Sequence, residues 1–306
     1  MYTVSVQSLC KTFDGIPALK GLSFDVEKSA MFGIIGPDGA GKTTFMRIAA
    51  CLLFQTSGSL TIGGFDSLKK PAKIKRIIGY MPQRFSLYQD LSVGENLTFF
   101  ADLFGVSGKE RRKRFEELLS FSRLGPFVKR RAGQLSGGMK QKLALSCTLI
   151  HKPEVLFLDE PTTGVDPVSR REFWEILSDL RKSGTTIIVS TPYMDEAERC
   201  DRVGLILNGS LIDEGSPEDF PMRFKHELIA VRGAGVVKKT RKLVFPELVL
   251  EVRTFGDRIH LTVKNSEAAI PVVHSFLQEH SIRDVAVEKV NPSIEDVFVE
   301  HMTHAQ

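Results

Sequence analysis

Cysteine is scarce in this chain and never clustered. Its 306 residues include four, at Cys10, Cys51, Cys147 and Cys200, with no Cys-x-x-Cys pair among them. The seven histidines fall into no metal-ligand spacing either. The pattern offers no disulfide framework and no zinc site, and it predicts buried, reduced cysteines in a cytoplasmic protein. Long hydrophobic runs are also missing: none approaches the roughly 20 apolar residues that cross a bilayer. Any membrane link then has to come through a partner. A charged start followed by an apolar core is absent from the N-terminus, which predicts no export signal. An excess of one charge is lacking as well. Lys and Arg number 41 against 37 Asp and Glu, a net +4, too little to imply a nucleic-acid partner.

What is there is an ordinary globular composition, 42% apolar and 25% charged, enough for a full core. The length fits one large domain, or a large one with a small one. Val4-Ser5-Val6 and Leu22-Ser23-Phe24-Asp25-Val26 alternate as strands. The unbroken apolar run Met31-Phe32-Gly33-Ile34-Ile35 reads as a buried strand, as do residues 155–158 and 186–189. A helix is expected over 42–53. Strands alternating with helices predict a parallel α/β core. Residues 95–104, 109–121 and 139–150 carry helical periodicity, the last with Met139, Leu143, Cys147 and Ile150 on one face. They form an expected helical insertion, and without a sustained heptad they are no coiled coil. Beyond about 224 the pattern changes to a strand at 258–263, a helix over 266–280 and a strand near 284–288. Asn291-Pro292 then reads as an N-cap with proline at the first helical position. This tail of about 80 residues is a size at which packing on a larger domain helps stability.

Three motifs carry chemistry. Gly36-Pro37-Asp38-Gly39-Ala40-Gly41-Lys42-Thr43 satisfies G-x-x-x-x-G-K-[ST] between an expected strand and an expected helix. In that context the N–H groups of residues 39–44, Thr44 included, cradle a phosphate, Lys42 reaches the terminal phosphate oxygens and Thr43 ligates Mg²⁺. Asp159 ends the apolar strand Val155-Leu156-Phe157-Leu158, where its carboxylate can meet the same Mg²⁺. Glu160 follows as the base for an attacking water. Leu135-Ser136-Gly137-Gly138-Met139-Lys140-Gln141-Lys142 is a bare loop opening a helix, built to hold an anion.

In this order the motifs resemble the ATPase subunit of an ATP-binding cassette (ABC) transporter. The resemblance implies a P-loop NTPase fold over residues 1–222: an α/β core, an antiparallel β subdomain, and a helical subdomain inserted at about 88–150. A small α+β domain at 223–306 would follow. It implies ATP and Mg²⁺ as ligands. The ATP would be sandwiched head to tail in a homodimer, or in a heterodimer with a second ABC ATPase, between one chain's P-loop and the other's Ser136, Gly137 and Gly138. Phe13 lies where these ATPases stack an aromatic on adenine, and equally suits a core phenylalanine. Gln83, in Met81-Pro82-Gln83, matches the loop that contacts Mg²⁺ and couples to the membrane subunit. Asp166, in Gly164-Val165-Asp166-Pro167, matches the loop crossing the dimer interface and doubles as an N-cap.

The tail Pro292-Ser293-Ile294-Glu295-Asp296-Val297-Phe298 resembles the C-terminal extension of exporter ATPases serving ABC-2 type permeases. Gly79-Tyr80-Met81-Pro82-Gln83 and Leu87-Tyr88-Gln89-Asp90-Leu91-Ser92-Val93 point the same way. The P-loop wording with Asp38, and residues 135–143, are similar to the first half of a tandem ATPase of drug-exporter type. The implied function is an ATP-hydrolysing subunit powering export of drugs or small amphiphiles, peripheral on the inner face of the cell membrane. The tail is expected to pack and stabilise a dimer rather than sense a ligand.

One departure stands out. The family has a histidine on the γ-phosphate after the strand that here ends Ile187-Ile188-Val189-Ser190-Thr191, and this chain has Pro192. Proline offers neither a side-chain donor nor an N–H. A lost charge-assisted contact costs roughly 1.5–3 kcal/mol, about 10- to 100-fold in rate if it acts in the transition state. Asp38 adds repulsion near the phosphates unless its side chain turns away. Two readings follow: Glu160 alone supports slow hydrolysis, or the chain's own site is weak and its Ser136-Gly137-Gly138 loop completes a site on a partner. The second is favoured by the similarity to a first half.

Overall fold

The structure, a computed structural model, describes residues 2–84, 87–241, 243–282 and 284–304. It divides into two compact units, Met1–Pro217 and Glu218–Gln306.

The first unit begins with β1 (Tyr2–Phe13), β2 (Ile16–Glu27) and β3 (Met31–Ile35), then α1 (Lys42–Ala49), β4 (Ser57–Ile62) and β5 (Phe65–Asp66). After α2 (Pro71–Ile77) and β6 (Ile78–Met81) come three longer helices, α3 (Val93–Leu103), α4 (Gly108–Phe121) and α5 (Gly137–Thr148). The chain then returns through β7 (Val155–Asp159), α6 (Pro167–Lys182), β8 (Thr186–Thr191), α7 (Met194–Ala197), β9 (Arg202–Leu207) and β10 (Ser210–Gly215).

Two sheets result. One is antiparallel, in the order β2-β1-β4-β5; the other runs β10-β9-β3-β8-β7-β6. In the second, β9, β3, β8, β7 and β6 are parallel and β10 closes the edge antiparallel to β9. Every residue of β3, β7 and β8 is buried, as continuous apolar runs require in a sheet covered on both faces. The two sheets share one core with α1. Phe24 of β2 stacks on Phe32 of β3 at 4.9 Å and tilts against Phe45 of α1 at 5.2 Å. The first helix ends at Ala49 rather than near residue 53, and Cys51 beyond it turns into the left-handed region at φ +53°.

The helical insertion has its own core, in which Leu143 and Cys147 of α5 meet Val93, Leu97, Leu124 and Leu135, with Met139 half-buried against them. α3 starts with a reciprocal capping box between Ser92 and Glu95. Asn96 is fully buried and donates to the carbonyls of Tyr88, Leu91 and Ser92 while accepting from the Tyr88 N–H. It thereby ties residues 88–92 to the helix. All four cysteines are free. Cys51, Cys147 and Cys200 are buried, and Cys10 is only half so.

The second unit contains α8 (Phe220–Arg223), β11 (Glu227–Arg232), α9 (Val236–Thr240), β12 (Val249–Phe255), β13 (Arg258–Val263), α10 (Ser266–Glu279), β14 (Ala286–Val290) and α11 (Ile294–His304). Its antiparallel sheet runs β12-β13-β11-β14 over a core that includes Ile229, Leu261, Val273 and Leu277. Asn291 and Pro292 do not cap α11. Ser293 does, its hydroxyl accepting from Asp296 N–H at 3.3 Å while Asp296 accepts from the Ser293 N–H at 2.8 Å. The Ser-x-x-Asp spacing satisfies two N-terminal donors at once, which an asparagine followed by proline cannot. Among the described residues no helix is long and apolar enough to cross a membrane.

Candidate functional site

The site forms where three parallel strands end. β3 delivers the loop 36–41, β7 delivers Asp159 and Glu160, and β8 brings Ser190 beside Asp159 in register. Gly41 caps α1 at φ +108°, and a Cβ there would come 2.8 Å from the Ala18 carbonyl. Only glycine suits both the conformation and the approach. The first turn of α1 then presents its N–H groups to the loop. A cavity of about 380 Å³ opens there, lined by Asp38, Gly39, Gly41, Lys42, Thr43, Thr44, Gln83 and Glu160, with Ala18 at one side. Gly36 and Ala40 do not line it: the Gly36 carbonyl accepts from Lys42, and Ala40 is buried with its N–H bonded to Pro37 O at 3.2 Å.

Lys42 is 3% exposed. Its Nζ donates to the carbonyls of Gly36 at 2.8 Å and Pro37 at 3.0 Å and pairs with Glu160 Oε1 at 3.1 Å. Glu160 Oε2 accepts from Gln83 Nε2 at 2.9 Å and from Thr163 Oγ1 at 3.3 Å. The prospective base is thus held by the same lysine that would meet phosphate. Its backbone lies at φ +48°, uncommon for a residue with a side chain, and its N–H donates to the carbonyl and hydroxyl of Ser190.

Asp159 is fully buried. Its Oδ1 accepts from Ser190 Oγ at 2.7 Å and Thr43 Oγ1 at 3.2 Å, and its Oδ2 is buried without a partner. Burial foremost, with the neighbouring Glu160 charge, holds its pKa above the usual carboxylate value against the pull of the two hydroxyls and Lys42. A buried carboxylate oxygen without a donor, beside a threonine hydroxyl, is the hard-oxygen set that a small divalent cation takes.

The remaining sequence-designated residues stand apart from this cavity. Ser136 caps α5, its hydroxyl accepting from Met139 N–H at 3.4 Å. Gly137 has open space, its nearest neighbour being Gly164 O at 3.9 Å from a would-be Cβ. Gly138 is pressed on α6: a Cβ there would sit 2.3 Å from Ser169 Cβ. Asp166 caps α6, accepting from the N–H groups of Val168 and Ser169 at 3.1 and 3.0 Å, and the Ser169 N–H foremost lowers its pKa. Phe13 is 43% exposed, with Lys11 Nζ 4.8 Å from its ring centroid, so it is not a core residue. Ser190 escaped the sequence reading. Its signal is a polar pair, Ser190-Thr191, closing the apolar run Ile187-Ile188-Val189 of the strand that neighbours the strand of Asp159.

This arrangement has clear relatives. A family profile described as ABC transporter matches residues 19–163. The probable multidrug ABC transporter ATP-binding protein YbhF of Escherichia coli (strain K12) is 40% identical over 301 residues, 97% of this chain and 51% of YbhF. The chain therefore spans about half the length of that relative. The linearmycin resistance ATP-binding protein LnrL of Bacillus subtilis (strain 168) is 32% identical over 308 residues and 97% of both chains. Among solved structures, the dimeric ATP-binding cassette MJ0796 in a post-hydrolysis state, bound to ADP and Pi, superimposes with TM-score 0.64 at 29% identity. It covers 70% of this chain and 98% of that one. With this likeness extending over nearly its whole length, the chain belongs to the ABC transporter family, among its ATP-binding proteins.

Proposed function

We propose that this chain binds and hydrolyses ATP to power an ABC-2 type membrane exporter of drugs or other small amphiphiles, working in a head-to-tail dimer. The observation that carries the reading is the convergence of Lys42, Thr43, Gln83, Asp159 and Glu160 on one cavity at the N-terminus of α1. An incoming triphosphate offers Lys42 a stronger anion than Glu160. Releasing that ion pair frees the Glu160 carboxylate to orient a water and take its proton as the γ-phosphorus–oxygen bond breaks. Thr43, Asp159 and Gln83 would hold Mg²⁺, which supplies charge neutralisation on the phosphate oxygens. Ser136, Gly137 and Gly138 do not line this cavity. They act on ATP only from a second subunit, where the bare backbone and the α5 N-terminus would face the γ-phosphate.

Docking to a membrane subunit is supported by apolar exposure on and beside α3. Tyr88, Phe99, Leu103 and Phe104 are 39–64% exposed, a concentration that marks interaction surfaces. The names of the relatives, multidrug, linearmycin resistance and daunorubicin resistance, favour an exporter, placed on the inner membrane face through its permease. A second reading rests on Pro192: the chain's own site turns over poorly and its main role is to complete a partner's site.

Steady-state phosphate release by the purified chain with Mg²⁺ and ATP tests the proposal. Activity that rises with the square of protein concentration and disappears in Glu160→Gln supports hydrolysis in a homodimer. Activity only with a second ATPase subunit, abolished by Ser136→Arg, supports the donor reading. Absence of nucleotide binding would overturn both.

A further inference from the structure

A buried carboxylate with no part in the steps above stands behind the catalytic loop. Glu196, in α7, is 1% exposed. Its Oε1 accepts from Thr162 Oγ1 at 2.7 Å, its Oε2 accepts from Thr191 Oγ1 at 2.5 Å, and Arg170 Nε lies 3.6 Å from Oε1. Two hydroxyl donors and a guanidinium are what a carboxylate needs to remain out of water. These partners come from three segments that chemistry at Glu160 requires to be fixed. Thr162 is two residues beyond the base. Thr191 ends β8 beside Pro192. Arg170 is in the first turns of α6, its N–H bonded to Asp166 O at 2.9 Å. Arg170 also pairs with Asp195 and lies 5.0 Å over the Tyr193 ring, while Tyr193 N–H donates to Thr191 Oγ1 at 3.0 Å.

The catalytic loop needs such a hold. Glu160 keeps a left-handed backbone, which persists only where the surroundings over-determine it. On the near side Ser190 receives its N–H; on the far side the next buried polar anchor is Thr162 on Glu196. Pro192 contributes no donor to the turn, so Thr191 carries that turn's side-chain tie to the network.

We infer that Glu196 is a positioning residue for Glu160. Through Thr162 and Thr191 it locks the loop after the base to the end of β8, and through Arg170 it ties both to the helix that carries Asp166. The inference rests on the reading of Glu160 as the base. Lys42 and Thr43 are not partners of Glu196, so ATP affinity is not expected to follow turnover.

The test pairs ATPase kinetics with backbone hydrogen exchange on the full chain. Glu196→Gln keeps the shape and removes the charge. It is expected to lower kcat about tenfold, equivalent to ~1.4 kcal/mol, with KM and equilibrium ATP affinity within twofold. Exchange should rise in residues 160–166 and 191–197 and not in 36–44. Arg170→Lys, which keeps charge and loses the planar fork, should show a smaller change of the same pattern. If Glu196→Gln does not fold, Thr162→Val and Thr191→Val each remove one donor and should reproduce the kcat loss in part. An unchanged kcat with unchanged exchange overturns the inference, and so does an equal loss of ATP affinity with exchange rising throughout. If the parent chain shows no turnover, the hydrolysis reading fails. The exchange pattern then decides alone, local loosening at 160–166 and 191–197 upholding the lock and no change refuting it.

Discussion

The P-loop and the Ser136-Gly137-Gly138 loop both sit at helix N-termini, and they are built in opposite ways. The P-loop side is crowded with polar side chains that engage one another, Lys42 on Glu160, Glu160 on Gln83 and Thr163, Asp159 on Ser190 and Thr43, while Asp159 Oδ2 stays without a partner. A ligand must displace one of these contacts to enter. The second loop has almost no side chain to displace. Its serine serves its own helix at Met139, one glycine faces open space, and the other is spent on packing against Ser169. Ligand entry on the first side exchanges contacts already made, while the second side offers the N–H groups of a helix N-terminus and few side chains. The contrast fits the proposed reading, in which the two loops are halves of one site held by different subunits.

The largest expected effect breaks the crowded half. Lys42→Ala removes the proposed phosphate handle and leaves Glu160 without its cation. Hydrogen bonds to charged groups contribute about 1.5–3 kcal/mol, so ATP affinity should fall roughly 10- to 100-fold, as read by titration calorimetry. A fall below threefold would mean that the α1 N-terminus alone holds the nucleotide. The bare half is tested next by stability. Gly138→Ala drives a Cβ into Ser169 and should cost about 1–3 kcal/mol by overpacking, measured by chemical denaturation. Gly137→Ala, with room for the methyl, should be neutral to within ~0.5 kcal/mol. Equal losses at the two positions would erase the distinction drawn between a packing glycine and a ligand-facing one.

The motifs were legible because each obeys a local rule: a loop of fixed spacing, a carboxylate closing an apolar run, a serine opening a helix. The parallel core and the helical insertion followed from periodicity for the same reason. What escaped was long-range. The register that sets Ser190 against Asp159, and the meeting of Thr162, Arg170 and Thr191 on Glu196, involve residues up to 34 apart whose approach is decided by how β7, α6 and β8 stack. Nothing local in the sequence separates Glu196 from the neighbouring Asp195 and Glu198. In the second unit, β11 and β12 were not read. The half-exposed alternation of β12 belongs to an edge strand, where burial imposes a weak pattern. At α11 the Asn291-Pro292 pair places the expected cap two residues too early, because Ser293 and Asp296 supply the cap of the helix that starts at Ile294.

A smaller effect is expected at the turn after β8. Pro192→His restores a side chain able to donate to the γ-phosphate, which should raise turnover about tenfold, or ~1.4 kcal/mol, if the chain's own site is the one that works. An unchanged rate in a reconstituted transporter whose activity Ser136→Arg abolishes would assign the working contribution to the bare loop instead.

The smallest effect is a difference between pH values, and it probes what the crowded half costs. Asp159 is fully buried with one oxygen unpaired, and burial raises its pKa above the carboxylate norm. A carboxyl whose folded pKa exceeds its unfolded value of about 3.9 binds its proton more tightly in the folded state. Its ionisation therefore destabilises the fold at pH above the folded pKa, and that cost fades as pH falls below the unfolded value. Asp159→Asn does not titrate. Relative to the parent, its stability should improve on going from pH 4 to pH 7.5, by something on the order of 1 kcal/mol, the scale of a poorly paired buried polar group. Any penalty from the buried amide is the same at both pH values and cancels in the difference. Gly137→Ala, in a loop with no titrating side chain, should show no such slope. A variant that instead loses stability relative to the parent as pH rises would mean that the hydroxyls of Ser190 and Thr43 outweigh burial and that Asp159 favours its charged form even without a cation.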